Sequence, residues 1–182
     1  MGLKITLFEG DITDAPADAI CTSTNTRLTL MMGTGGAVRE RGGFEVLRAC
    51  EDLLARSGRT QLPPGSAHAT TAGRLSYKAV IHCVASDPTT HISSEAIIRA
   101  CVRNALARAE ELGCASVAMP VFATGHARFS FPRAVTTMVD AINGAETTVS
   151  QVVLAVEDPE RAATTGEILA GSGAGLSPRF GA

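Results

Sequence analysis

The stretch "SVAMPVFATGHARFSFPRAVTTMVDAI", residues 116–142, contains a strand, a loop and a helix in direct succession. Its first part, residues 116–121, is a short apolar run typical of a buried strand. Residues 131–142 repeat apolar side chains at helical spacing, and Pro132 stands near their start, where a helix tolerates proline. A strand that leads through a loop into a helix is the repeating unit of an α/β fold.

The same alternation continues in both directions along the chain. Strands are predicted at residues 4–8, 19–22, 66–71, 79–85, 116–121 and 151–156. Helices are predicted at residues 35–56, 93–112, 131–142 and 159–169. Strands separated by helices need crossover connections, so we predict an α/β protein whose mixed, mainly parallel sheet is covered by helices on both faces.

The sequence predicts a single domain over residues 1–170 and a flexible tail, "GSGAGLSPRFGA", over residues 171–182. Inside the domain, Ser94 is a predicted N-cap and Gly113 a predicted helix stop. The length of 182 residues suffices for one continuous core.

Composition excludes several classes of function. The net charge is −2 and Lys and Arg do not cluster, so we expect no nucleic acid partner. The sequence shows no secretory leader and no apolar run long enough for a membrane span, which favours a cytoplasmic protein without a membrane partner. The sequence does not determine the oligomeric state, and a monomer is the expectation. Five cysteines without a C-x-x-C pair indicate buried thiols rather than disulfides or a zinc site, and we expect no metal and no cofactor.

Two loops have a composition that favours ligand binding, residues 25–38 and 121–132. Each follows a predicted strand and opens a predicted helix, where backbone N–H groups are unpaired and the helix dipole is positive. Gly33, Gly35 and Gly36 would let an anion approach this backbone closely and so suggest a phosphate or diphosphate cradle. A tight turn with close helix packing is the alternative interpretation.

The common nucleotide fingerprints are absent. A G-x-G-x-x-G motif that begins at Gly33 would need glycine where Val38 stands, and a Walker A motif that begins at Gly36 would need G-K at residues 41–42. Asp11, in "EGDIT" after the first strand, is suited to accept a hydrogen bond from an exocyclic amine such as that of adenine. The alternative is a simple turn residue.

Taken in order, these pieces resemble the macrodomain family, whose members bind ADP-ribose. The resemblance runs from about residue 4 to residue 156 and is carried by five motifs. They are "GDIT" (10–13), "DAICTSTN" (18–25), the glycine loop with its helix, "GSAHATTAGRLSYKAVIHCV" (65–84), and "MPVFATG" (119–125) leading to "FP" (131–132).

The resemblance implies a three-layer α/β/α fold and a role for several residues. Asp11 would hold the adenine amine beside Ile12, and Asn25 would meet the distal ribose. The diphosphate would lie on the two loops, and either Phe129 or Phe131 would lie against a ring. The ADP-ribose-binding residues implied in this way are Asp11, Ile12, Asn25, Gly33, Thr34, Gly35, Gly36, Ala37, Val38, Ala123, Thr124, Gly125, His126, Ala127, Arg128 and Phe129.

Departures from the family pattern bear on catalysis. Of the family's N-A-A-N only Asn25 remains, and Gly33 is the one glycine kept from its G-G-G-V. Hydrolytic members of the MacroD type often have an aspartate that positions water, and Gly35 occupies that place here. His126 invites a role as base or phosphate ligand, against a plain exposed loop histidine. Asn25, Gly35 and His126 are therefore the candidate catalytic positions.

Other polar and apolar residues allow two interpretations each. His82, inside an apolar strand, is better explained as a hydrogen-bonded structural residue. Arg128 either pairs with a phosphate or is solvated. Met31 and Met32 either wall the distal ribose or fill core.

Three functions compete on these grounds. The first is a hydrolase that removes mono-ADP-ribose from acidic side chains of modified proteins, and it is favoured by the retained Asn25. The second is a reader that binds ADP-ribose without chemistry, and it is favoured by Gly35 in place of an aspartate. The third is an α/β enzyme acting on another phosphorylated metabolite. The expected partners are ADP-ribose and mono-ADP-ribosylated proteins.

Overall fold

The computed structural model describes residues 3–87, 89–90 and 92–172, and within them the chain forms six strands, five α-helices and one short 3-10 helix. The strands are β1 (Lys4–Glu9), β2 (Ala19–Asn25), β3 (Ala67–Thr70), β4 (Ala79–Ser86), β5 (Ser116–Pro120) and β6 (Gln151–Val156). The helices are α1 (Gly33–Gly42), α2 (Phe44–Ser57), α3 (Glu95–Glu111), α4 (Phe131–Asn143) and α5 (Pro159–Gly171). The 3-10 helix, Ile12–Asp14, follows β1.

The strands form one sheet in the order β1-β6-β5-β2-β4-β3. All neighbours in it are parallel except β3, which pairs antiparallel with β4 at the edge of the sheet. The predicted mixed, mainly parallel sheet is therefore confirmed. Parallel strands bring their carboxyl ends to the same edge, and that edge carries the loops of interest.

Two hydrophobic clusters cover the two faces of the sheet. On β4, Ile81 and Cys83 belong to the cluster formed with α3, α4 and α5, while Val80 and Val84 belong to the cluster formed with α1 and α2. This alternation follows from the period of two along a strand. Because both faces are covered, the central strands are apolar throughout, which is why they are recognisable in the sequence.

Most predicted boundaries agree with the structure to within one or two residues. Strand 151–156 is reproduced, and Ser94 accepts a hydrogen bond from the Ile97 backbone N–H at 3.2 Å as the predicted N-cap. Gly113 has a left-handed φ of 65° just after α3. All five cysteines are buried free thiols, as predicted. Strand β2 extends three residues beyond the predicted end at 22, to Asn25, and α5 ends at Gly171 while residues 173–182 of the predicted tail lie outside the described residues.

The single helix predicted at residues 35–56 is wrong, because Gly43 divides it into α1 and α2. Gly43 has a φ of 88° and cannot continue a helix. At this junction the backbone N–H of Arg74 donates to the Gly42 carbonyl at 2.9 Å. A Cβ on Gly73 would lie only 2.0 Å from that carbonyl oxygen. Glycines thus allow residues 72–74 to pack against the break, a contact across thirty residues that helical periodicity does not reveal.

His82 is confirmed as a structural residue. It is fully buried, its Nδ1 hydrogen-bonds with Thr22 Oγ1 at 3.0 Å, and its Nε2 hydrogen-bonds with Thr70 Oγ1 at 2.8 Å. Burial, together with a smaller effect of the neighbouring His68, lowers the pKa of His82 to about 3. The imidazole is therefore neutral at ordinary pH and joins β2, β3 and β4 through side-chain hydrogen bonds.

Among the described residues, no helix combines the length and the apolar character needed to cross a lipid bilayer.

We expect Gly73→Ala to destabilise the fold more than Gly58→Ala. Both glycines have left-handed φ values, 60° and 64°, so both substitutions carry a backbone cost of about 1–2 kcal/mol. Only at Gly73 does the new Cβ also meet the Gly42 carbonyl, whereas nothing lies within 4 Å of one on Gly58. Urea denaturation should show Gly73→Ala losing at least about 2 kcal/mol more. Equal losses would contradict the close contact at the α1–α2 junction.

We expect stability to fall on acidification because of His82. Its pKa is about 3 when folded and near 6.5 when unfolded, so between these values the unfolded state binds the extra proton and the free energy of unfolding drops as pH falls. The slope per such group approaches about 1.4 kcal/mol per pH unit. Urea denaturation at about pH 7 and about pH 5.5 should show a smaller difference for His82→Gln than for the wild type. An unchanged difference would contradict this assignment.

Candidate functional site

A cleft of about 1020 Å³ opens along the carboxyl edge of the sheet. The ends of β2, β4, β5 and β6 form its floor, and the starts of α1, α4 and α5 form its rim. Its polar and charged lining side chains are Ser23, Thr24, Asn25, Thr29, Thr34, Ser86, Thr124, His126, Arg128, Glu157, Asp158 and Arg161. Its remaining lining residues are Met31, Met32, Gly33, Pro120, Val121, Ala123, Gly125, Ala127, Phe131, Ala155 and Val156.

The N-terminus of α1 opens onto this cleft. Its first intrahelical hydrogen bond runs from the Gly36 N–H to the Met32 carbonyl at 3.1 Å, and no described side chain caps the helix. Gly33 has a φ of 57°, and a Cβ built on it would meet open space within 4 Å. The unpaired N–H groups and the helix dipole therefore make this rim a favourable place for an anion.

Asn25 lines the cleft and also shapes the loop that follows β2. Its Oδ1 accepts hydrogen bonds from the backbone N–H groups of Arg27 at 3.0 Å and Thr29 at 3.4 Å, and its Nδ2 donates to Thr29 Oγ1. The loop buries Leu28 and Leu30, which are 2% and 1% exposed. The side chain of Asn25 is thus fixed in orientation by the loop it organises.

The second loop, residues 121–130, closes on itself through a backbone hydrogen bond from the Phe129 N–H to the Ala123 carbonyl at 3.0 Å. Ala123 and Arg128 have left-handed φ values of 65° and 51°, which are costly for residues other than glycine. Such strain is concentrated at ligand sites, where the surrounding structure imposes it. The loop leads into α4, whose N-terminus also has no side-chain cap among the described residues.

Ser23 joins the two loops. Its Oγ accepts a hydrogen bond from the Ala123 backbone N–H at 3.2 Å, and its own backbone N–H donates to Thr34 Oγ1 at 3.2 Å. A single residue of β2 therefore holds the start of α1 and the strained loop in one arrangement.

The opposite end of the cleft, at α5, has a different chemistry. Asp158 caps α5 by accepting a hydrogen bond from the Arg161 N–H at 2.8 Å, so this helix end is already satisfied by a carboxylate. Glu157 stands beside it, and the guanidinium of Arg161 lies 5.0 Å from the centre of the Phe131 ring. This end offers an aromatic ring, a cation and carboxylates, which suits a flat heterocycle better than a phosphate.

Asp11 and Ile12 lie beside the cleft and are not among the residues that line it. Asp11 Oδ1 caps the 3-10 helix by accepting from the N–H and the Oγ1 of Thr13 at 2.8 and 2.6 Å. Ile12 is 4% exposed. Arg41 of α1 donates to both carboxylate oxygens of Asp14, at 2.7 and 2.6 Å, which ties this turn to α1. The turn follows β1, the neighbour of β6 in the sheet, so it adjoins the α5 end of the cleft.

The structure brings together about half of the residues that the sequence predicted for the site. On the cleft wall it places Asn25, Gly33, Thr34, Ala123, Thr124, Gly125, His126, Ala127 and Arg128. Off the wall it places Asp11, Ile12, Gly35, Gly36, Ala37, Val38 and Phe129. Helix α1 leaves the cleft after its first residues, because a helix turns each successive residue by about 100°.

Gly35 is buried and faces the protein interior. A Cβ built on it would lie 3.3 Å from both the Cα and the Cδ2 of Leu30. A side chain at this position would therefore press on Leu30 before it reached the cleft. Gly36 is similarly close to the backbone, with the Met31 carbonyl oxygen at 3.3 Å from its virtual Cβ.

Sequence reasoning missed several lining residues. Between Phe129 and Phe131 it left the choice open; both rings pack against the core, and of the two it is Phe131 that the structure places on the cleft wall. Glu157, Asp158 and Arg161 were not predicted at all, although they directly follow β6 and open α5. Their place after a parallel strand was the available signal, since all such strand ends meet at one edge. Met31 and Met32 are 67% and 78% exposed, so they do not fill core.

Comparisons with known proteins agree with this architecture. The family model described as Macro domain matches residues 21–138. A macro domain-containing protein of Streptomyces coelicolor is 36% identical over 148 residues, which are 81% of this chain and 88% of that protein. Another, from Streptomyces griseus, is 39% identical over 121 residues, which are 66% of this chain and 68% of that protein.

Solved structures of similar shape come from two further organisms. The Oceanobacillus iheyensis macrodomain with ADP has a TM-score of 0.82 at 25% identity, covering 91% of this chain and 90% of that one. The Trypanosoma brucei macrodomain in complex with ADP-ribose has a TM-score of 0.78 at 22% identity, covering 91% and 68%. The family model spans more than half of the chain, and the Streptomyces coelicolor relative exceeds 30% identity over four-fifths of it. This chain belongs to the macrodomain family.

Proposed function

We propose that the protein binds ADP-ribose in the cleft and hydrolyses mono-ADP-ribose esters on acidic side chains of modified proteins. The observation that carries the proposal is the convergence of two helix N-termini, those of α1 and α4, on one cleft with no side-chain cap among the described residues. A diphosphate supplies the anionic oxygens that these N–H groups and dipoles favour.

The two ends of the cleft support one orientation of the ligand. Adenine would lie at the α5 end, where Phe131 offers a ring face and carboxylates are available to the exocyclic amine. Asp11, on the turn that adjoins this end, remains a predicted contact for that amine. The diphosphate would lie between Gly33 and the second loop, and the distal ribose would lie at Asn25 and Thr29.

Ester hydrolysis at this site needs little proton transfer. Water would attack the anomeric carbon of the distal ribose, the bond from that carbon to the side-chain carboxyl oxygen would break, and the water would lose a proton to solvent or phosphate. The leaving carboxylate has an ordinary pKa near 4, so it departs without general acid help. What the protein contributes is position: the diphosphate on the loop N–H groups and the ribose at Asn25.

A reader without catalysis is the second candidate, and the position of Gly35 favours it. Gly35 packs against Leu30, so it supplies no group to the cleft. The carboxylates among the described lining residues, those of Glu157 and Asp158, both lie at the α5 end, away from Asn25. A general base typically contributes about 10² to 10⁴ in rate, so a site whose described lining carboxylates lie away from Asn25 is suited to binding alone.

We expect Gly33→Asp to weaken ADP-ribose binding at least tenfold relative to Gly33→Asn, about 1.4 kcal/mol. The two variants differ in charge at nearly equal size, both side chains tolerate the left-handed φ of 57°, and the position opens onto free space. An aspartate at a helix N-terminus stabilises the helix, so the fold should survive. Calorimetry with ADP-ribose measures the effect, and adenosine, which lacks the diphosphate, is the control ligand. Equal affinities of the two variants for ADP-ribose would contradict the diphosphate assignment.

We expect the wild type to release ADP-ribose from a protein modified on Glu or Asp, and Asn25→Ala to lose more in turnover than in binding. The reason is that Asn25 would position the distal ribose, where the bond breaks. Loss of label, followed over hours, measures turnover, and calorimetry measures affinity.

Thr29→Val tests the loop separately, since it removes the oxygen to which Asn25 Nδ2 donates; because Thr29 also lines the cleft, its affinity for ADP-ribose is measured beside its turnover. If it keeps the affinity of the wild type but lowers turnover as much as Asn25→Ala, Asn25 acts by shaping the loop. Tight ADP-ribose binding without any release by the wild type would establish the reader instead.

A further inference from the structure

Two adjacent methionines stand at the mouth of the cleft. Met31 and Met32 line it and are 67% and 78% exposed. They immediately precede the N-terminus of α1, on the side of the cleft that also holds Asn25 and Thr29. Large apolar side chains exposed together beside a ligand cleft indicate a surface that becomes covered when a partner binds.

The packing of the preceding residues holds Met31 outward, and Met32, the residue before the first turn of α1, is exposed beside it. Leu28 and Leu30 are buried on either side of the exposed Thr29, and Leu30 also meets the backbone of Gly35. The hydrogen bonds that Asn25 Oδ1 accepts from the N–H groups of Arg27 and Thr29 fix the same alternation. To bury Met31, the chain would have to withdraw Leu30 from the core, which would cost about 2–5 kcal/mol. The exposure is therefore imposed by the fold.

The chemistry of this rim fits an apolar segment of a polypeptide. Methionine side chains are unbranched and polarisable, and they adapt to varied apolar surfaces. The Met31 Sδ lies 3.9 Å from Nη1 of Arg39, and Arg128 lines the cleft, so positive charge accompanies the apolar pair. The modified carboxyl is an uncharged ester, so an apolar residue beside it matches the methionines and a further, unmodified acidic residue matches the positive charge.

We infer that Met31 and Met32 are a docking surface for the polypeptide that carries the ADP-ribose, and that they select targets with an apolar residue next to the modified acidic side chain. The inference rests on the proposed orientation, in which the distal ribose lies at Asn25. The bond from that ribose to the target then emerges from the cleft beside the methionines. A free nucleotide ends at the ribose, whereas a modified protein continues across this rim.

The test compares the double variant Met31→Gln/Met32→Gln with the wild type. The ligands are free ADP-ribose and two peptides that carry ADP-ribose through a hydrolysis-resistant linkage, one with Leu and one with Ser beside the modified position. The variant should lose about tenfold more affinity for the Leu peptide than for free ADP-ribose or for the Ser peptide. Phe44→Gln is the matched control, because Phe44 is 66% exposed and does not line the cleft; it should not change these ratios.

Four outcomes would overturn the inference, and they are distinguishable. Equal losses for all three ligands would mean that the methionines contact the nucleotide itself. If the variant binds all three ligands as tightly as the wild type does, the methionines are not a docking surface, and the proposed function stands. Failure of the wild type to bind ADP-ribose at all would overturn both. A wild-type dimer in sedimentation that the variant dissolves would assign the surface to a second copy of the chain.

Discussion

The parallel pairing of β1, β6, β5, β2 and β4 is the constraint on which the site depends. Parallel strands need crossovers, and each crossover helix begins at the edge where the strands end. The unpaired N–H groups of α1 and α4 therefore face a common opening, and the floor beneath them consists of strand ends. A cleft bordered by helix N-termini at this edge is a direct consequence of the sheet topology.

Within that frame, the binding surface is arranged before any ligand arrives. Ser23 connects the start of α1 with the strained loop at Ala123, and Asn25 fixes the loop between β2 and α1. Ala123 and Arg128 keep their left-handed backbone conformation because the hydrogen bond from the Phe129 N–H to the Ala123 carbonyl closes the loop around them. A surface that is arranged in advance lowers the entropic cost of binding a ligand.

Position 35 illustrates how a sequence correspondence differs from a spatial one. Its place in the family pattern suggested the site of a catalytic side chain, yet a Cβ on Gly35 would point at Leu30. The carboxylates among the described lining residues lie at the α5 end of the cleft, away from Asn25. Met31 and Met32 stand exposed on the side of the cleft that holds Asn25.

The sequence by itself determined the α/β order, the strand at 151–156, the cap at Ser94, the proline in the first turn of α4, and the two loops that border the cleft, since these depend on local periodicity and on residues with fixed backbone preferences. The tertiary structure alone decided the break at Gly43, the choice of Phe131 over Phe129, and the inward direction of Gly35. Each of these depends on contacts between distant or differently oriented segments. Periodicity records which face of an element is apolar, but not which neighbour that face meets.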